Sequence, residues 1–200
     1  MPSFPKYRTQ LANGVDVVIR PLNNPLFLDA AKALCIRNFA PATEDLPVLD
    51  EILKQSLDRI GSPFTILLAF EDKEPRLRKL FDFPFKPEDA IGAICIRAHD
   101  GKGERASSST SYQLEDLCAD GKFRGNGLGT HLVLAAKEII AWRSHNNGVK
   151  SPARVSLTGL TDDMCHRLYR PAGFDFVSGG GPRDMVSYVS PATGSSQPKP

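Results

Sequence analysis

The sequence lacks a strong charge bias, a cysteine framework and any long apolar run, and each absence removes a class of protein. Its 25 Lys and Arg face 23 Asp and Glu, a formal charge of +2. So small an excess gives no electrostatic case for nucleic acid or an anionic membrane as the main partner. Nothing approaches the roughly 18 consecutive apolar residues of a membrane helix. The opening MPSFPKYRTQLANG has no apolar stretch suited to a signal peptide. Cys35, Cys95, Cys118 and Cys165 form no CxxC pair and no tight disulfide framework. They are expected to be reduced and mostly buried, in a cytoplasmic protein. His99, His131, His145 and His166 stand at no metal-ligand spacing, so no metal is expected.

What is present is ordinary for a globular chain: 200 residues, 41 % hydrophobic and 24 % charged. Folding at this length buries roughly 70 % of the unfolded chain's surface, so one core needs no staples. Tyr7–Leu11 and Val15–Arg20 flank Ala12-Asn13-Gly14 and predict a hairpin. Apolar spacing predicts helices over Leu26–Asn38 and Leu46–Ile60, the latter entered through Thr43-Glu44-Asp45. Strands are expected at Phe64–Phe70, Ala90–Ala98 and Tyr112–Ala119. Between them lie two polar connections, 71–89 and 99–111. Asn126–Asn146 carries the strongest helical stripe, with Leu128, Leu132, Ala135, Ala136, Ile139 and Ile140 on one side. A strand at Arg154–Gly159, a helix at Asp162–Arg170 and strands at Phe174–Val177 and Met185–Val189 complete the chain. The expectation is an α/β (α+β) protein with one core: an extension over 1–6, a single domain over 7–190 and a disordered tail over 191–200.

The chemistry concentrates where the third of those strands meets the long helix. Between them runs Arg124-Gly125-Asn126-Gly127-Leu128-Gly129. A strand, a glycine-rich turn and a helix N-terminus make an anion site, because unpaired N–H groups point outward and the helix dipole favours negative charge. No Lys-Ser or Lys-Thr follows these glycines, which excludes a P-loop. A GxGxxG dinucleotide fingerprint starting at Gly125 fails at Thr130.

Arg124-Gly125-x-Gly127-x-Gly129 after a strand resembles the acetyl-CoA pyrophosphate loop of the GCN5-related N-acetyltransferase (GNAT) superfamily. Leu168-Tyr169-Arg170-Pro171-Ala172-Gly173-Phe174 resembles the family's LYxxxGF segment, and Ile19-Arg20-Pro21 its first strand. Element order agrees over about residues 7 to 190. Pro171 and the preceding DDMC depart from the usual pattern, with Cys165 where a small residue is expected.

The resemblance implies a mixed, mostly antiparallel sheet with splayed central strands and flanking helices. Acetyl-CoA would enter the splay like an extra strand, paired with the backbone of Leu117, Cys118 and Ala119. Its pyrophosphate would lie on the N–H groups of Arg124, Gly125, Asn126, Gly127, Leu128 and Gly129. Arg124 either adds charge there or is a solvated surface residue. Tyr169 stands where the family often has a general acid for the leaving thiolate; the other reading is a core tyrosine. The expected activity is N-acetyl transfer to an amine acceptor, direct and without a covalent enzyme intermediate. The alternative is a non-catalytic CoA- or protein-binding module, and a homodimer stays open.

An ammonium acceptor must lose a proton before attack. Glu115 is the first candidate base. Strand alternation places it on the face of Leu117 and Ala119, with Asp116 on the opposite face as second choice. Glu115 as a plain solvent-facing carboxylate is the competing reading. Basic residues and phenylalanines alternate in Lys73–Lys86. They could contact a partner, but interspersed acids favour a loop that packs its aromatics on the core.

Overall fold

The first hairpin pairs β1 (Tyr7–Gln10) with β2 (Asp16–Pro21), Tyr7 opposite Ile19. The side chain of Asn13 accepts the Val15 N–H at 3.3 Å and tightens the turn. The computed structural model describes residues 6–39, 45–57, 63–73, 85–99, 111–158, 160–177 and 183–192. The remaining strands are β3 (Phe64–Glu71), β4 (Ala90–His99), β5 (Ser111–Ala119), β6 (Ala153–Leu157), β7 (Asp175–Phe176) and β8 (Met185–Val189). Together they form one eight-stranded sheet in the order β1-β2-β3-β4-β5-β6-β8-β7. Every neighbouring pair is antiparallel except β5 and β6. The sheet is therefore mixed and mostly antiparallel, as expected.

Helices cover both faces. On one, α1 (Leu28–Phe39) and α2 (Leu46–Leu57) lie over β3, β4 and β5. Asn24 caps a short 3-10 turn, Pro25–Phe27, by accepting the Leu26 N–H, and this starts α1 later than Leu26. Phe27, Ala31, Leu34 and Leu53 are buried with Val18, Leu68, Phe70, Ala93 and Cys118. Phe85 stacks on Phe70 at 4.9 Å, and Lys73 pairs with Asp89 at 2.8 Å. Those described ends of the Lys73–Lys86 stretch pack onto the fold; residues 74–84 lie outside the described residues.

On the other face α3 (Leu128–Asn146) buries Leu128, Leu132, Ala135, Ala136, Ile139 and Ile140, the whole predicted stripe. The expectation of one core is corrected: two apolar layers sandwich the sheet. The helix begins at Leu128, not Asn126, because Gly125 and Gly127 stand at φ +76° and +87°, outside helical space. The helix expected over 162–170 changes character midway. α4 (Asp162–Met164), capped by the Thr161 hydroxyl, widens into a π turn over Cys165–Tyr169, where the Arg170 N–H reaches the Cys165 carbonyl at 3.0 Å.

Other boundaries differ by a few residues. Residues 58–62, including the predicted end of α2 at Ile60, and the 100–110 loop lie outside the described residues. Of 1–6 and 191–200 only Lys6, Pro191 and Ala192 are described, and Ala192 N–H bonds to Ala141 O at 3.1 Å. No helix among the described residues is long and apolar enough to cross a membrane.

Candidate functional site at the splay of two parallel strands

β5 and β6 pair only at Ser111–Arg154, Tyr112–Val155 and Gln113–Ser156. Beyond Gln113 they separate. A bulge in β5 falls at this point: Ala93 faces Cys118 and Cys95 faces Glu115, so Asp116 and Leu117 together oppose Ile94. Asp116 takes φ +51°, the one non-glycine positive φ among the described residues. An extra residue bends a strand and increases its twist, which carries β5 away from β6. Aspartate is one of the few side chains that tolerates this conformation.

The bulge overturns the expected faces. Glu115 lies opposite Cys95 and shares the α1 side of the sheet with Ala93 and Cys118, whereas Leu117 and Ala119 pack with the α3 layer. Strict alternation fails because the extra residue resets the period of two.

The separated strands open a cavity of about 270 Å³. Glu115, Asp116 and Leu117 line it from β5, and Met164 and Tyr169 from the π-turn side. The two predicted catalytic residues thus share one cavity. Tyr169 is only 3 % exposed and packs edge-on to Phe174 at 5.9 Å. Its hydroxyl has no hydrogen-bond partner among the described residues. Burial, with a smaller contribution from Cys165, pushes its phenol up to about 12, so it remains a proton donor at neutral pH. Glu115 pairs with Arg97 at 3.6 Å. Asp116 is exposed as a residue, and partial burial of its carboxyl raises its proton affinity from the ordinary carboxylate value.

The glycine turn lies at the other end of β5. Asp120 N–H bonds across to Ile91 O at 2.8 Å, so by alternation the Ala119 N–H points toward the side that β6 has left. Then follow a 3-10 turn, Gly121–Phe123, and the Arg124–Gly127 loop. No backbone bond is donated by Gly125, Asn126 or Gly127 among the described residues, and Leu128 and Gly129 open α3 with the free N–H groups of a helix start. Arg124 is neither free nor swinging: it donates to Asn38 Oδ1 at 2.7 Å and to Ala119 O at 3.3 Å. This holds its charge beside the turn and ties the turn to α1. Cys118 turns its thiol into the core beside Cys35; a hydrogen bond between the two thiols first, and burial second, push the Cys35 thiol up.

Residue patterns gave no sign of Gly92. A Cβ there would meet Cys118 O at 3.0 Å, Leu132 Cδ1 at 3.1 Å and Leu128 Cδ2 at 3.2 Å. Its bare backbone lets the first turn of α3 press onto the sheet and fixes the helix N-terminus beside Ala119. Position in the sheet, not local sequence, makes that glycine necessary.

Neither a protein-family model nor a curated protein matches the chain. Solved structures do. An N-acetyltransferase of the GNAT family from Escherichia coli, in complex with CoA, is 19 % identical and superposes with a TM-score of 0.53, covering 95 % of this chain and 84 % of that one. An aminoglycoside N-acetyltransferase with CoA gives 0.57 at 16 % identity, over 82 % of this chain and 91 % of that one. The NatC complex bound to Gag peptide and CoA gives 0.55 at 17 %, over 88 % and 99 %. The chain has the GNAT fold. At such identities the likeness is one of fold alone.

Within this GNAT fold several singled-out residues lie away from the splay. His131 bonds with Tyr7 and Thr9 at 3.1 and 3.2 Å, a contact tying β1 to α3. Lys137 bonds Ala172 O and Ser187 Oγ, each at 2.9 Å, and braces the π turn against β8. The four cysteines are free and buried. Among the described residues no group of three or more His, Cys, Asp or Glu is placed to hold a metal. Between β7 and β8, residues 178–182 lie outside the described residues.

Proposed function

We propose that this protein is an acetyl-CoA-dependent N-acetyltransferase. One observation carries the reading: a strand edge unpaired among the described residues leads from a glycine turn, whose N–H groups find no described backbone partner, to a cavity holding Tyr169 and two carboxylates. The edge suits an amide-bearing arm that pairs like a strand, and the turn suits a pyrophosphate. The site residues of the cofactor arm would be Leu117, Cys118 and Ala119, and those of the pyrophosphate Arg124 through Gly129.

Ala119 N–H would donate to the thioester carbonyl as charge develops there. Asp116 takes the base role ahead of Glu115. Burial raises its proton affinity, which favours it as a base, and no cation among the described residues pairs with it, whereas Arg97 holds Glu115. Tyr169 would donate to the leaving sulfur. A phenol near 12 is a poor source of a whole proton for a thiolate, whose ordinary pKa is about 8.5: the gap costs about 5 kcal/mol. Tyr169 therefore acts by a hydrogen bond to the developing thiolate, with solvent completing protonation. Alignment of amine and thioester supplies much of the rate. The free, buried thiols suit a reducing compartment such as the cytoplasm.

Calorimetric titration with acetyl-CoA, followed by a CoA-release assay over a panel of primary amines, tests the proposal. Binding with amine-dependent CoA release is expected. No heat on titration refutes it, and binding without turnover would leave a non-catalytic CoA-binding module.

A further inference from the structure

A second pocket of about 180 Å³ opens on the α1–α2 side of the bulge. It shares Phe39 and Asp116 with the splay cavity, so the two meet at the bulged residue. Its walls are Phe39, Val48, Leu49, Ile52 and the Cys35 thiol, and its charged side chains are the carboxylates of Asp45 and Asp116. Among the described residues no cation pairs with either carboxylate, and no lining residue is basic. Phe39 and Val48 are 45 % and 60 % exposed.

Apolar walls and two unneutralised carboxylates have one chemical complement. A cation gains from the carboxylates, and an apolar body attached to it gains from the walls. About 150 Å³ of apolar space accepts a benzene-sized group. A polycation would leave further ammonium groups desolvated against Val48 and Ile52, and a polyhydroxylated amine would leave hydroxyls unpaired.

We propose that this pocket selects the acceptor, and that the acceptor is a primary amine on a compact apolar body. Two sources share this chemistry: a free alkyl- or arylalkylamine, and the N-terminus of a peptide whose first residue is apolar. The inference rests on the acetyl-transfer reading. The ammonium lies at Asp116, which removes one proton; the neutral nitrogen then attacks the thioester carbon, the C–S bond breaks as the C–N bond of the amide forms, and the second nitrogen-bound proton passes through solvent to the leaving thiolate, giving the free thiol of CoA.

The test uses the full chain with phenethylamine, a Leu-Ala-Ala peptide amide, its N-formylated form and spermidine. Ligand-observed NMR reads binding without acetyl-CoA, and CoA release reads turnover. Phenethylamine or the free peptide should bind and turn over with kcat/KM at least about 10-fold above spermidine, and the formylated peptide should do neither. Which of the first two is preferred identifies the source. Val48→Lys, at an exposed position, places a cation in the pocket. It should raise KM for the apolar amine about 10-fold or more, with kcat and acetyl-CoA affinity little changed. Preference for spermidine, or unchanged affinity in Val48→Lys, overturns the inference while leaving acetyl transfer intact. Absence of acetyl-CoA binding, with phenethylamine still bound, instead fails the acetyl-transfer reading.

Discussion

Replacing Tyr169 with Phe removes one hydroxyl and keeps the ring against Phe174. The hydroxyl has no protein partner among the described residues and borders the splay cavity, so the folded state loses no internal hydrogen bond. The stability change should stay within about 1 kcal/mol, a Tm shift of no more than about 4 °C for a chain of this size. Turnover should respond quite differently. A hydrogen bond to a charged acceptor contributes about 1.5–3 kcal/mol, and here it forms only as the thiolate develops. At 1.36 kcal/mol per tenfold, kcat should fall about 10- to 150-fold. Acetyl-CoA affinity should be nearly unchanged, because the ground-state thioester sulfur is a weak acceptor. Thermal melting, calorimetry and CoA-release kinetics on the same preparations separate the three quantities. Full turnover in Tyr169→Phe would refute the reasoning and make Tyr169 a packing residue alone. A Tm loss above about 8 °C would show that the hydroxyl is bonded in the fold.

The raised phenol also links stability to pH. A folded pKa near 12 against an unfolded value of 10 gives stability that is complete below pH 10 and lost as pH rises toward 12, about 1.4 kcal/mol of it by pH 11. Urea unfolding at pH 8 and 11 should show that extra loss in wild type and not in Tyr169→Phe; equal losses count against the burial of Tyr169. Gly127→Val forces a β-branched residue to φ +87°, a strain of at least about 1–2 kcal/mol, and places a side chain at the phosphate approach. Its Tm should drop by at least about 2 °C and its acetyl-CoA affinity by more than about 10-fold; wild-type affinity by calorimetry would move the pyrophosphate elsewhere. Asp116→Asn keeps a side chain that tolerates the positive φ but cannot take a proton, so kcat/KM should fall about 10²-fold or more at pH 7 and recover in part at high pH, where acceptor arrives neutral. Glu115→Gln should lose less, and its stability should change by under about 1 kcal/mol with loss of the partly exposed Arg97 pair; the opposite ranking in pH–rate profiles would return the base role to Glu115.

Short-range chemistry in the sequence alone determined much of this protein. Helical spacing placed the whole buried stripe of α3, the Asn-Gly turn placed the first hairpin, and Arg124–Gly129 marked the glycine turn at the start of α3. Each is decided by residues within a few positions of one another, so local reading suffices. Leu168-Tyr169 and the glycine motif also carried the resemblance to the GNAT fold. Tertiary structure alone decided the geometry at the splay. The bulge at Asp116 arises from the register between β4 and β5, set by residues some twenty positions apart, and no alternation within β5 reveals it. That one extra residue moved Glu115 to the other face and placed Asp116 where two cavities meet. Gly92 is needed because the β5 backbone and α3 both crowd the place of its missing Cβ, and the π turn resets the end of a segment whose spacing predicts an unbroken helix. Such features depend on how distant elements press together, and packing across the sheet, not propensity along the chain, selects them.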